Sequence, residues 1–171
     1  MKLISSIATA TATALLSLFA VGTAQAAPQR QPWVASETMY LSNVAKDLGV
    51  KLYRDVPSVC DQKAYGMATT EYQLVVCLEN HGSNLVELAD TIRHEMIHIA
   101  QYCRGNGEIA LLTTKPSTHL RYAVEVLGWD ILGQYDREDW LAEGEAFSLA
   151  HIMEEHEIAE LLIDNCTGVI K

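Results

Sequence analysis

Residues 92–100 read Ile92-Arg93-His94-Glu95-Met96-Ile97-His98-Ile99-Ala100. Two histidines stand four residues apart in an apolar run, and a glutamate follows the first. On an α-helix, positions i and i+4 lie one turn apart on one face. A helix here therefore aims two imidazoles at one point. The flanking pattern predicts that helix. Apolar residues at 85, 88, 89, 92, 96, 99 and 100 keep helical spacing, Asn84 is a capping residue type, and Gly105 stops the run. Apolar residues cover much of the circumference, so the helix is expected to be buried. Buried polar side chains need partners, and a metal ion supplies one to His94 and His98.

Zinc takes imidazole nitrogen readily, and a catalytic zinc uses three protein ligands and leaves a fourth position open. Glu95 lies about 100° round the helix from His94. It is placed to act as general base on a water in that open position. His-Glu-x-x-His is the spacing of zinc metallopeptidases. The third ligand has to come from elsewhere, because Gln101 and Arg104 occupy the places where some such sites carry a further Gly or His. The open candidates are His119, His151, His156 and the carboxylates of Trp140-Leu141-Ala142-Glu143-Gly144-Glu145-Ala146.

Outward from this helix the chain divides cleanly. Residues 1–26 hold Lys2, a long apolar stretch and the small-x-small sequence Ala24-Gln25-Ala26, and read as a signal peptide. The mature chain, 27–171, is expected to form one domain, with residues 27–33 as a lead. A helix is predicted from Ser36 to Gly49, a strand over 50–56, and an antiparallel hairpin from the runs around "GMATT" and "YQLVVC". Residues 79–84 read as a loop. Helices follow over 117–135, interrupted at Gly128, and over 136–166 with a break near His156. The expected fold is α+β: a small antiparallel sheet packed on the histidine-bearing helix and the C-terminal helices.

Four cysteines remain after cleavage, Cys60, Cys77, Cys103 and Cys166. An even number in an exported chain implies disulfides, and the favoured pairing is Cys60–Cys77 with Cys103–Cys166. Asp and Glu number 22 against 12 Lys and Arg. That balance disfavours nucleic acid as a partner. The mature chain has no further segment that reads as a membrane anchor, so a secreted or periplasmic location is expected.

The combination of "HEMIH" with a later Glu-x-x-Ala resembles the gluzincin-type zinc peptidases, over roughly residues 70–155. The resemblance implies a zincin-like domain acting on a peptide or protein substrate, with Zn²⁺ on His94, His98 and Glu143 and Glu95 as catalytic base. Ala146, one turn beyond Glu143, is small enough to let the two helices approach. Glu145 then faces the other way, as a supporting or surface carboxylate. One position departs: those families carry Asp or Asn at 147 to orient a ligand histidine, and this chain has Phe147. Oxyanion stabilisation is open to Tyr102, Tyr122, Tyr135 or His119. The sequence leaves a second reading, an inactive zinc-binding module of the same fold acting as a binding or envelope protein.

Overall fold

The structure, a computed structural model, describes residues 36–171. The expected signal peptide and the 27–33 lead lie outside the described residues.

The fold is α+β. Helix α1 (Ser36–Asp47) leads through Gly49 into strand β1 (Lys51–Arg54). A single turn of helix, α2 (Pro57–Cys60), starts on Pro57, whose missing N–H costs nothing at a first helical position. Strands β2 (Gly66–Ala68) and β3 (Gln73–Val76) form the expected antiparallel hairpin. The sheet is nonetheless mixed rather than antiparallel throughout, in the order β1-β3-β2, because β1 runs parallel to β3. The turn of α2 between β1 and the hairpin carries the chain across and brings β2 in on the far side of β3. Central β3 is therefore buried as a continuous run, Leu74, Val75 and Val76, as a strand covered on both faces must be.

Residues 79–84 are not wholly loop. Helix α3 (Leu78–His81) makes one turn, and the Asn80 side-chain amide stitches it to the carbonyls of Cys60 and Ala64. The histidine-bearing helix α4 (Leu85–Arg104) has the expected limits. Asn84 caps it by accepting the Glu87 N–H at 3.2 Å, and Gly105 ends it. Next come α5 (Pro116–Leu127), the short α6 (Trp129–Leu132), α7 (Trp140–Ile152) and α8 (Glu155–Cys166). The break between the last two falls at Met153 and Glu154, not at His156. There Glu154 and Glu157 form a reciprocal capping box that starts α8. Arg93 closes the end of α7: its Nε donates to the Ala150 carbonyl at 2.8 Å and a second guanidinium nitrogen donates to the Met153 carbonyl. Satisfying the last carbonyls of α7 is thus the role of Arg93.

Helix α4 is the axis of the core. Ile92, Met96, Ile97, Ile99 and Ala100 are fully buried, and α1, α7, α8 and the β2–β3 hairpin pack around them. Burying each such large apolar side chain is worth about 1.5–3 kcal/mol. Surrounded in this way, α4 cannot rotate without exposing one apolar face or another, so the directions of its polar side chains are fixed. Both expected disulfides are present. Cys60–Cys77 ties α2 to the end of β3, and Cys103–Cys166 ties the last turn of α4 to the end of α8. Two disulfides suit an oxidising, exported environment. No helix among the described residues is long and apolar enough to cross a membrane.

Candidate metal centre

His94 and His98 leave α4 on the side that faces α7, and both are more than nine-tenths buried. Their Nε2 atoms lie 3.0 Å apart. Glu143, on the first turn of α7, meets them from across the gap. Its Oε2 is 3.3 Å from His94 Nε2 and its Oε1 is 3.4 Å from His98 Nε2. Among the described residues these three form the one group of His, Cys, Asp and Glu ligand atoms close enough to hold a metal ion. His119, His151 and His156 stand outside it. His119 Nδ1 is 2.8 Å from Ser148 Oγ, a contact that links α5 to α7.

The three side chains converge closely enough to share one ion. The two Nε2 atoms stand 3.0 Å apart, each has a different Glu143 oxygen at 3.3 or 3.4 Å, and one ligand atom from each residue lies within 4.8 Å of the other two. Glu143 Oε2 is also buried without a hydrogen-bond donor, the kind of orphan that an ion would satisfy. Two imidazoles and a carboxylate can therefore hold a divalent metal at this point.

Two close approaches put the pieces there. A Cβ on Gly144 would lie 2.7 Å from the Leu120 Cα, so α7 rests directly against the backbone of α5. That contact, with Ala146 buried in the core on the other side, sets the rotation of α7 and turns Glu143 to the histidines. A Cβ on Gly66 would lie 2.7 Å from Thr91 and 3.1 Å from Glu95. Its absence lets β2 lie against α4, where the Ala68 N–H donates to Glu95 Oε2 at 2.7 Å. One oxygen of Glu95 is thereby anchored to the sheet.

The surroundings of the two histidines differ. Phe147 packs on the His94 ring with centroids 4.2 Å apart, and His94 Nδ1 has no hydrogen-bond partner. His98 Nδ1 lies 2.7 Å from Gln101 Oε1. Gln101 Nε2 in turn donates to Glu145 Oε2 at 3.0 Å. Glu145, the other carboxylate considered as a ligand, is fully buried and faces away from the histidines, which removes the option of a surface role. Its oxygens accept from the backbone N–H of Leu112 and Thr113 and from the Thr113 hydroxyl.

With no metal bound, His98 and Glu143 shift each other in opposite directions. Burial pulls the His98 pKa down, but the adjacent Glu143, then Glu95 and Gln101, outweigh it and raise it to about 9. Burial pushes the Glu143 carboxyl up, but His94 and His98 beside it hold it down at about 2.

A cleft of about 700 Å³ opens beside His94 and Glu95, between the segment before β2 and the α5–α7 side, and is lined also by Phe147 and Tyr135. Of the tyrosines considered, Tyr135 lines this cleft. Burial, then Glu143 and Glu95, push its hydroxyl well above the usual range. Tyr102 is raised by the same causes and also by Asp139. Tyr122 stacks at 5.9 Å on His151 instead. The strand edge open toward Glu95 belongs to β2. β3, the strand in "EYQLVVCL", lies between two neighbours and has no free edge.

No family model matches the chain, and neither a curated protein nor a solved structure does so.

Proposed function

We propose that the chain is an exported zinc-dependent peptidase of the gluzincin type. The observation that carries this reading is the convergence of His94, His98 and Glu143, with Glu95 beside them at the mouth of a cleft. His94, His98 and Glu143 would hold the zinc. When bound, the ion supplies Lewis-acid polarisation of a carbonyl and lowers the pKa of a water.

The remaining work falls to the chain. Glu95 takes a proton from the attacking water with the oxygen not held by Ala68, and delivers it to the leaving amine. Anchoring the other oxygen limits the carboxylate to one approach. The outer edge of β2, whose Ala68 N–H is taken by Glu95, has its remaining backbone groups to pair with an extended peptide and lay its scissile bond across the site. The Tyr135 hydroxyl, kept protonated by its surroundings, is a donor for the oxyanion that develops on the carbonyl.

The test is elemental analysis of the folded, exported protein combined with an assay on a general protein substrate. One zinc per chain and hydrolysis that is lost in Glu95→Gln with zinc retained support the proposal. One zinc with no hydrolysis on any protein substrate would favour the inactive zinc-binding module, and no metal would sink both.

A further inference from the structure

We infer that Gln101 and Glu145 are positioning residues that dictate which nitrogen of His98 faces the metal. The claim rests on the metal-site reading proposed above. It follows from the direction in which each hydrogen bond must run.

The Gln101 side chain is fully buried, so its amide must satisfy itself on neighbouring groups. One end lies 3.2 Å from the Ala142 carbonyl and 3.0 Å from the Glu145 carboxylate. The Ala142 carbonyl is an acceptor only. At Glu145 every other contact is also a donor: Leu112 N–H at 2.7 Å, Thr113 N–H at 2.8 Å and Thr113 Oγ1 at 2.7 Å. The end of the amide that faces these groups therefore has to be its NH₂. The carbonyl end is left to meet His98 Nδ1 at 2.7 Å. A carbonyl oxygen only accepts, so Nδ1 carries the hydrogen. Nε2 is then the nitrogen whose lone pair is free for an ion beside His94 and Glu143.

This network has a direction that a merely cohesive one would not need. Glu145 orients the amide, the amide fixes the His98 tautomer, and the tautomer presents Nε2. Hydrogen bonding to a carbonyl also raises the ligand basicity of the opposite nitrogen. His94 receives no such help, since its Nδ1 is unpartnered and Phe147 holds its ring by packing. The same carboxylate gathers the backbone of residues 112–113, a segment without regular secondary structure, onto the metal centre.

The experiment uses the full mature chain with Co²⁺ as a visible probe and Zn²⁺ for nuclear magnetic resonance. Gln101→Met keeps the volume and removes both polar ends. Glu145→Gln puts an NH₂ among donors and turns the Gln101 amide round, setting its NH₂ against His98. Each should weaken Co²⁺ binding by about 10–100-fold and change the visible spectrum of the bound ion. The double variant Gln101→Glu with Glu145→Gln restores an acceptor opposite His98 Nδ1, and should bind Co²⁺ more tightly than Glu145→Gln alone. In the Zn²⁺-loaded parent, His98 should coordinate through Nε2 and show an Nδ1–H signal slow to exchange. Single variants that fold and bind Co²⁺ within twofold of the parent would overturn the inference and leave the metal site standing. So would a double variant no better than Glu145→Gln. Zinc bound through Nδ1 of His98 in the parent would overturn it without any variant. A parent that binds neither ion would overturn the metal reading itself.

Discussion

Glu143 and Glu145, two residues apart on α7, reach the same histidine by different routes. Glu143 Oε1 stands 3.4 Å from His98 Nε2, and Glu145 touches the opposite side of that ring through Gln101. Two residues on a helix are about 200° apart, so only one of them can face the histidines directly. Their substitutions should therefore fail in different ways. Glu143→Ala removes a partly buried group that holds no backbone, so it should cost only its interaction with the histidines while losing the ion in elemental analysis. Glu145→Ala leaves the Leu112 and Thr113 N–H groups without their acceptor. An unsatisfied buried donor costs about 1–3 kcal/mol, and these two are part-buried, so the variant should lose about 1–3 kcal/mol in denaturant unfolding. Normal stability in Glu145→Ala would show that the 112–113 segment does not depend on it.

Glu95→Gln keeps the shape of the side chain and can still present an oxygen to Ala68 N–H, but it cannot take a proton. The turnover number should fall by about 10²–10⁴-fold, the range for a positioned acid–base group. Zinc content and thermal midpoint should stay close to the parent. Loss of zinc in this variant would make Glu95 a ligand rather than a base.

Stability of the metal-free protein should depend on pH with a definite sign. His98 is raised to about 9 by Glu143 and its neighbours against the pull of burial, from an unfolded value of about 6.5. A raised histidine stabilises fully below its unfolded pKa and loses that contribution as pH rises through its folded pKa. The metal-free chain should therefore weaken between about pH 6.5 and 9, by on the order of 3 kcal/mol shared between His98 and Glu143 rather than counted twice. Glu143, lowered to about 2, contributes the same interaction above its unfolded value, and that is lost as pH falls through 2. Metal uptake at neutral pH must expel the His98 proton, which calorimetry in buffers of different ionisation enthalpy would count. A flat stability profile from about pH 6.5 to 9 would refute the raised pKa of His98.

The parts of the fold that were legible in the sequence are those set by local chemistry. The 3.6-residue spacing from Leu88 to Ala100, the Asn84 cap and Gly105 gave α4 its limits, and the i, i+4 histidines gave two corners of the triangle. Glu143 was singled out over Glu145 by the Glu-x-x-Ala resemblance together with the small residue one turn on. What stayed hidden depends on contacts distant in sequence. The parallel pairing of β1 with β3 is decided by how α2 carries the chain across, which no residue of β1 announces. The place of Gln101 is hidden because it depends on facing Glu145, 44 residues away. A faint signal was present: Gln101 follows His98 by three residues on a helix already judged to be buried. A buried amide at that spacing calls for a partner.

Gly144→Ala sets two effects of opposite sign against each other. On an isolated helix the change favours α7 by about 1 kcal/mol, because alanine is the better helix former. In the folded chain the new Cβ would stand 2.7 Å from the Leu120 Cα, a backbone atom that no rotamer change can move. Relief requires α5 and α7 to separate, and overpacking of this kind costs about 1–3 kcal/mol. The steric term should win, so the variant is expected to be less stable than the parent, by up to about 2 kcal/mol in chemical denaturation. Glu143 immediately precedes Gly144 and moves with the helix. Its oxygens, now 3.3 and 3.4 Å from the imidazoles, would leave the triangle. Co²⁺ affinity should therefore fall together with stability, by about tenfold or more, although no ligand has been replaced. A variant that is more stable than the parent and binds Co²⁺ as tightly would mean that α7 does not rest on the α5 backbone, and that the direction of Glu143 is set by something else.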